Sequence, residues 1–400
     1  MAHHNLAGVL RAKPTCPQEL IDFILDKTDS ADKGTLKSCA LVARSFRPTS
    51  QKLIFSAVTI LPPGCDSIPA LERLADVLSS SPHLALHVRT LYLFQPGLNK
   101  PCEWMQSDML PAILSMFINL ESLNIQIYDW KRLASNCEQA IYALITRSSL
   151  SSIELKGARF RDTSLLPLLR CLPTSLESAS FSDVFAARWS YRDDLQRASA
   201  ELHKLRLASL HLDSFAPTLL HWAIRAVDLK CLQDLHTTVK EDTYDVVQQL
   251  LDSAVYVETY HLFFWDTFSN PENPDLGKMQ CLRTLEISVV LNWEETEEVE
   301  GEDRDNPLDD AMRTLNTAPH SIEHLVLNLN IWNPDELSYF MEPVWDLGED
   351  CPALWDVVVR IRSRYDDKSA LQRGIRYLEG VFYRLHERGI LTVIAVHPDE

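Results

Sequence analysis

Three histidines and one glutamate recur at a fixed interval in the middle of the sequence. His211, His236, His261 and Glu286 each follow the one before by 25 residues. Imidazole and carboxylate groups bind transition metals, and histidine changes its charge close to neutral pH. The interval therefore points to a metal site, to a pH-sensitive surface that contacts a bound protein, or simply to polar residues on a solvated face.

The interval also indicates how the four side chains would be arranged. If each lies on its own strand of a parallel stack, they project from one exposed, concave side at about 4.8 Å per step. Four groups in a straight row converge poorly on a tetrahedral centre with Zn–N distances of about 2.0–2.1 Å, although two neighbours could do so. We therefore assign no metal ligand, no cofactor and no catalytic residue, and take the row as a candidate protein-binding surface.

The elements that would position this row are repeats. A pattern of apolar-x-x-apolar-x-apolar recurs along most of the chain, and stretches with helical periodicity lie between its copies. Its first residues are Val88, Leu120, Leu150, Leu176, Leu207, Leu232, Val257, Leu282, Ile322, Leu354 and Leu391. This is the signature of leucine-rich repeats, in which each unit supplies one strand and one helix and buries its apolar face only by stacking.

The expected fold is thus α/β, with an N-terminal three-helix segment followed by a curved right-handed leucine-rich-repeat solenoid. Its parallel strands would line the concave side and its helices the convex side. A doubly wound sheet also alternates strands and helices. It would not keep one strand pattern through eleven copies, nor lack every glycine-rich turn.

The N-terminal segment is short but rich in apolar residues. Pro17–Phe46 predicts two amphipathic helices separated by the polar stretch 27–32, and a third apolar segment follows around Leu53–Phe55. Pro17 suits the first position of a helix. The segment has more apolar faces than its own small core can use, which is typical of a surface that meets a partner helix or groove.

This segment resembles the F-box, specifically the F-box-like proteins of fungi. Cys16 stands where that family has Leu, and Phe46 where it has Trp; the stretch Ser81–Leu93 also resembles the fungal family. The residues that match its motif are Pro17, Glu19, Leu20, Ile24, Leu36, Cys39, Val42 and Arg44. The resemblance implies docking onto a Skp-type adaptor of a cullin–RING ubiquitin ligase. The residues that would contact or support that adaptor are Pro17, Leu20, Ile21, Ile24, Leu36, Leu41, Val42 and Phe46.

The resemblance further implies a substrate-receptor subunit that is not an enzyme and that holds an unknown protein cargo on its repeats. Candidate cargo contacts are Tyr92, Phe94, His211, His236, His261, Phe263 and Glu286. The alternative is a scaffold outside the ligase system, in which the N-terminal helices only cap the solenoid. No P-loop, Rossmann fingerprint or Gly-x-Ser-x-Gly elbow is present, which disfavours the common enzyme classes.

The expected domains are a disordered terminus at 1–13, the F-box-like domain at 14–56 and the repeats at 57–400. The repeats contain an insertion at 294–310 with ten carboxylates against Arg304. Because like charges repel and apolar residues are scarce there, we expect a solvated loop. A calcium loop is the alternative, although Pro307 breaks the alternation of ligands that an EF-hand needs.

Charge and composition narrow the possible partners and the compartment. The net charge of −18 disfavours nucleic acid and anionic membranes, both of which select clustered Lys and Arg. No apolar run reaches the roughly 18 residues of a membrane helix. Nine cysteines without a Cys-x-x-Cys motif, and no signal peptide, indicate reduced thiols in the cytoplasm or nucleus.

Overall fold

A computed structural model gives the architecture of most of the chain. The residues that it describes are 17–28, 32–60, 67–95, 103–147, 149–160, 165–186, 203–213, 217–264, 273–291, 307–331, 351–363 and 368–396. The expected disordered terminus at 1–13 lies outside them.

Three short helices form the N-terminal unit: α1 (Gln18–Asp26), α2 (Lys33–Val42) and α3 (Arg47–Phe55). The carboxylate of Asp32 caps α2 by accepting a hydrogen bond from the backbone N–H of Thr35, 3.0 Å away. These helices have a small core of their own, separate from the main one. It consists of the buried residues Ile21, Leu25 and Leu36, against which Cys39, Phe46, Leu53 and Ile54 pack.

A parallel sheet of twelve strands follows, and its strand order is the order of the chain. Its strands are β1 (Ala57–Ile60), β2 (Thr90–Phe94), β3 (Ser122–Gln126), β4 (Ser152–Lys156), β6 (Ser178–Ser182), β8 (Ser209–Asp213), β9 (Asp234–Val239), β10 (Thr259–Phe264), β11 (Thr284–Leu291), β12 (His324–Ile331), β13 (Asp356–Ser363) and β14 (Leu391–Val396). A separate pair is formed by β5 (Arg159–Phe160) and β7 (Phe185–Ala186).

Helices lie between successive strands. They are α4 (Ser67–Ser80), α5 (Met109–Met116), α6 (Ser135–Ile145), α7 (Leu165–Arg170), α8 (Pro217–Ala226), α9 (Tyr244–Ser253), α10 (Pro307–Asn316), α11 (Lys368–Val381) and α12 (Tyr383–Glu387). Short 3-10 helices occupy Pro82–His87, Glu103–Gln106, Trp130–Arg132 and Glu241–Thr243. One strand with a return segment, repeated with the strands in chain order, is the arrangement of leucine-rich repeats.

The repeat pattern explains this arrangement. In each of the first ten repeats, the strand begins two residues after the first apolar residue of the pattern. The three pattern positions in those repeats are at most 2% exposed, so they form the interior layer between the sheet and the helices. Alternate strand residues point to the opposite face, which we call the open face.

The last repeat is placed wrongly by the sequence pattern. Leu391 pairs with Val357, so it occupies the second apolar position of the pattern and not the first. The error arises because the stretch LTVIAV is apolar at neighbouring positions and fits the pattern in more than one register. The segment before β14 contains two helices, since α11 ends at Val381 and α12 begins at Tyr383.

The predicted acidic loop at 294–310 is too long at its C-terminal end, because α10 begins at Pro307. Proline is favoured at the first helical position, where no N–H is needed. The rest of that stretch, up to residue 306, lies outside the described residues. None of the helices in the described part of the chain is both long and apolar enough to cross a membrane.

The N-terminal unit is continuous with the first repeat. Strand β1 pairs with β2, and the carbonyl of Ser56 accepts hydrogen bonds from the backbone N–H groups of Arg89 and Thr90. Phe55, at the end of α3, packs against the main core, whereas Leu53 packs against the small one. The helices therefore cover the N-terminal end of the sheet.

Candidate functional site

Strands β8 to β11 bring the four regularly spaced residues into one row on the open face. His211 pairs with His236, His236 with His261, and His261 with Glu286. The rings of His211 and His236 stack with centroids 4.8 Å apart, and those of His236 and His261 lie 3.7 Å apart and almost parallel. The row predicted from the 25-residue interval is confirmed.

The row lines a pocket on the open face. The pocket has a volume of about 330 Å³, and Asp213, Thr238 and Phe263 also line it. The side chains of His236, His261 and Glu286 are 29%, 27% and 23% exposed, which leaves them accessible but partly shielded from water. This combination strengthens electrostatic interactions relative to those of fully solvated groups.

Asp234 joins the row and was missed by the sequence analysis. Its Oδ1 lies 3.3 Å from Nε2 of His236 and 4.0 Å from Nε2 of His261. One ligand atom from each of these three residues falls within 4.8 Å of the others, so the trio could hold a metal ion. The sequence argument considered only one residue per strand. The signal was the Asp-x-His spacing within β9, which places both side chains on the same face.

The two oxygens of Asp234 have different surroundings. The hydroxyl of Ser209 donates a hydrogen bond to Oδ2 over 3.1 Å, whereas Oδ1 is buried without a hydrogen-bond partner of good geometry. Burial alone would raise the pKa of Asp234, but its contacts with His236 and Ser209 outweigh that effect and the pKa falls below its usual value. Asp234 is therefore a carboxylate at neutral pH.

Glu286 is held from both sides. Oε2 lies 3.1 Å from Nδ1 of His261, and the amide of Asn328 donates to Oε1. The guanidinium of Arg360 lies 3.9 Å from the same Oε1. The hydrogen bond from His261 is the main reason that the pKa of Glu286 is lowered, despite the opposing effect of burial. Glu286 thus fixes the orientation of the His261 ring.

His211 differs from the other two histidines. Burial, followed by the proximity of His236, lowers its pKa to about 4. Between pH 6 and 8 its imidazole is therefore neutral, so it contributes no charge change to a pH-sensitive surface in that range.

The aromatic cargo candidates fall in two places. Phe263 lies on β10 beside the row, paired with Thr238 and Ser288. Tyr92, 42% exposed, and Phe94 lie on the open face of β2, and three strands, β3, β4 and β6, separate that strand from β8. At about 4.8 Å per strand they lie roughly 19 Å from His211.

The predicted adaptor contacts divide into exposed and interior residues. Pro17 is exposed, and Leu20, Ile24, Leu41 and Val42 are 52%, 56%, 83% and 77% exposed. Phe23, which sequence reasoning missed, is 61% exposed and lies on the same face of α1 as Leu20 and Ile24. The i, i+3, i+4 spacing of these three residues was the available signal.

The other three predicted adaptor contacts face inward. Ile21 and Leu36 are buried in the small core, and Phe46 packs against it. Ile21 lies about 100° around α1 from Leu20 and turns toward α2 and α3, so it is not available for direct contact with a partner. These residues can support a docking surface from beneath but do not form it.

One further His–Asp pair lies on the open face. Nδ1 of His324 is 3.3 Å from Oδ2 of Asp356, with side chains 33% and 38% exposed. The ring of Trp355 lies edge-on to His324, with centroids 4.1 Å apart. This pair resembles Asp234 and His236 in distance and exposure, but it belongs to no group of three possible ligands among the described residues.

Comparisons with known proteins give similarity in structure but not in sequence. No protein-family model matches the chain, and no curated protein matches it. Among solved structures, it is similar to the leucine-rich repeat-containing protein LegL7 from Legionella pneumophila, at 11% identity and a TM-score of 0.40. The similarity covers 86% of this chain and 91% of that one.

Proposed function

We propose that this chain is a substrate-receptor subunit of a Skp–cullin–F-box ubiquitin ligase, without catalysis of its own. In this proposal α1 and α2 bind the Skp-type adaptor, and the open face of the repeats binds a protein cargo. The observation that carries it is the exposed apolar surface of the N-terminal unit, where Leu20, Phe23, Ile24, Leu41 and Val42 are all more than half exposed.

Such exposure has a cost for an isolated protein, since each large apolar side chain left in water forgoes about 1.5–3 kcal/mol of burial. The unit does not need these side chains for its own fold, because Ile21, Leu25 and Leu36 already fill its core. A partner surface that covers the α1 face would account for their presence. The resemblance to the F-box supports a Skp-type adaptor as that partner.

The open face supports the cargo half of the proposal. It presents the row with its pocket in β8 to β11 and the aromatic pair Tyr92 and Phe94 in β2. Aromatic residues are enriched at protein interfaces. A rigid array would hold the cargo close to the activated ubiquitin and raise its effective concentration there. This role places the protein in the cytoplasm or nucleus.

The test is adaptor binding by the full-length chain. Leu20→Asp with Ile24→Asp places two charges on the proposed contact, so we expect affinity for a purified Skp-type adaptor to fall at least about 100-fold. The matched control is Ile118→Asp with Tyr256→Asp, which charges two residues that are 55% and 50% exposed outside the N-terminal unit. Unchanged adaptor affinity in the first variant contradicts the proposal.

A second candidate function is a scaffold outside the ligase system, in which the three helices only cap the solenoid. The pairing of β1 with β2 and the packing of Phe55 against the main core favour it. Under this alternative the chain does not bind the adaptor, so variants of Leu20 or Ile24 leave adaptor capture unchanged. Phe55→Ala lowers the melting temperature. Titration of the wild-type chain with the adaptor separates the two functions directly.

A further inference from the structure

We infer that Asp234, His236 and His261 form a binding site for one borderline divalent metal ion, with Zn²⁺ as the best match. The site lies on the open face of the repeats and does not depend on the proposed adaptor. It combines one carboxylate and two imidazoles, a ligand set that suits zinc and disfavours calcium and magnesium, which prefer oxygen ligands.

The distances are close to those of a metal centre. In a tetrahedral site with metal–ligand bonds of about 2.0–2.1 Å, neighbouring ligand atoms lie about 3.3 Å apart. Oδ1 of Asp234 and Nε2 of His236 are 3.3 Å apart already, and Nε2 of His261 lies 4.0 Å from the same oxygen. Shortening the 4.0 Å distance to 3.3 Å requires a shift of about 0.7 Å in His261, together with a rotation that turns its ring out of the nearly parallel stack with His236.

One oxygen of Asp234 has no hydrogen-bond partner of good geometry. Oδ2 is satisfied by Ser209, but the buried Oδ1 faces two imidazole nitrogens without good hydrogen-bond geometry. A buried carboxylate oxygen without a partner is costly. Either a metal ion or a proton on an imidazole must therefore lie among these three atoms.

Glu286 favours the metal. Because Oε2 of its carboxylate lies 3.1 Å from Nδ1 of His261, Glu286 favours the ring tautomer with the proton on Nδ1, which leaves the lone pair of Nε2 on the side of Asp234. Metal-binding histidines usually donate their second N–H to such a carboxylate, which fixes the ring and strengthens the ligand. Asn328 and Arg360 in turn hold Glu286.

The fourth coordination position would open into the pocket that His236 and His261 line. Three protein ligands leave room for a water molecule or for a donor group of a bound protein. In the proton-based alternative, an imidazole N–H of His236 or His261 donates to Oδ1 of Asp234, and no zinc is bound.

The test compares zinc binding by full-length variants after removal of metal with a chelator, using competition with a chromophoric chelator. We expect the wild type to bind one Zn²⁺ per chain more tightly than Asp234→Asn or His261→Ala by at least about 100-fold. Glu286→Gln should weaken binding about 10–100-fold while every ligand remains. The readout is the difference in zinc affinity between the wild type and each variant. Zinc bound by other histidines is common to both and cancels in that difference.

His324→Ala is the matched control, since His324 faces Asp356 at the same 3.3 Å but belongs to no group of three possible ligands in the part of the chain that the structure describes. It should bind zinc as the wild type does. The double variant Leu20→Asp with Ile24→Asp should also bind zinc normally, which keeps this result separate from adaptor binding. Equal zinc affinity in the wild type and Asp234→Asn, or an equal loss in His324→Ala, overturns the inference. Circular dichroism verifies that each variant is folded.

Discussion

The two faces of the sheet differ in how much their residues vary from repeat to repeat. On the interior face, the same three pattern positions recur from repeat to repeat and are almost completely buried. On the open face, the residues at one position of successive strands change from Tyr92 through Asn124, Glu154 and Ser180 to the three histidines and Glu286. Adjacent residues of one strand thus belong to two different environments.

This difference separates stability from recognition. A parallel stack needs its interior residues to interlock with both neighbouring repeats, which leaves little choice beyond apolar side chains. The open face has no such requirement, so chemically varied groups can collect there. The Asp234 cluster and the pocket lie on that face, while the main core lies on the other.

The largest expected effect contrasts neighbouring residues of β4. Ile153 is 1% exposed on the interior face, whereas the next residue, Glu154, is on the open face. We expect Ile153→Ala to lower the free energy of unfolding by about 2–5 kcal/mol, because it leaves a cavity between repeats. Glu154→Ala should change it by less than about 0.5 kcal/mol.

Urea denaturation followed by circular dichroism measures both values. Similar losses in the two variants would show that the two faces contribute equally to stability, and would contradict the comparison. A lower urea m-value in Ile153→Ala would indicate that unfolding exposes less surface or is no longer two-state.

A smaller effect concerns the one place where the pattern is polar. Thr237 occupies an apolar pattern position, and its hydroxyl forms a buried hydrogen bond of 2.7 Å with the hydroxyl of Tyr260 in the next repeat. Burial raises the pKa of Tyr260, so its phenol stays protonated and able to donate. The irregularity of this repeat is therefore compensated by its neighbour.

The two hydroxyls should be energetically coupled. Tyr260→Phe or Thr237→Val alone strands one buried hydroxyl and should cost about 1–3 kcal/mol, whereas the double variant removes both groups and should cost clearly less than the sum. A double-mutant cycle in urea measures the coupling. Additive single effects would mean that the hydroxyls do not stabilise one another.

The interior face was predictable from the sequence because its repeat pattern is local and redundant. Ten repeats fall in register, and the pairing of His211, His236 and His261 follows from the equal spacing of their strands. The last repeat failed because the stretch from Leu391 is apolar in two registers, and β14 has a neighbour on one side only. A strand that pairs on one side only has fewer neighbours to fix its register.

The candidate site was predictable only in part. The row itself came from the 25-residue interval, but Asp234 required attention to alternate residues within one strand. Asn328 and Arg360 could not have been placed, because the spacing between repeats is irregular after β11. In the N-terminal unit, periodicity located the helices but did not determine their rotation, so it did not separate the exposed Leu20 from the buried Ile21.

The smallest expected effect concerns ion pairs between residues that immediately precede neighbouring strands, at an edge that we call the rim of the sheet. Arg89 lies 2.9 Å from Glu121, and Arg283 lies 3.4 Å from Glu323, with side chains between 36% and 62% exposed. Exposed pairs of this kind contribute only about 0.2–1 kcal/mol and are screened by salt. A double-mutant cycle with Arg89→Gln and Glu121→Gln should give a coupling in that range, larger than for Arg283 and Glu323, and it should vanish near 1 M salt. A coupling above about 1 kcal/mol that persists in salt would mean that the rim, and not the interior face alone, fixes the stacking of the repeats.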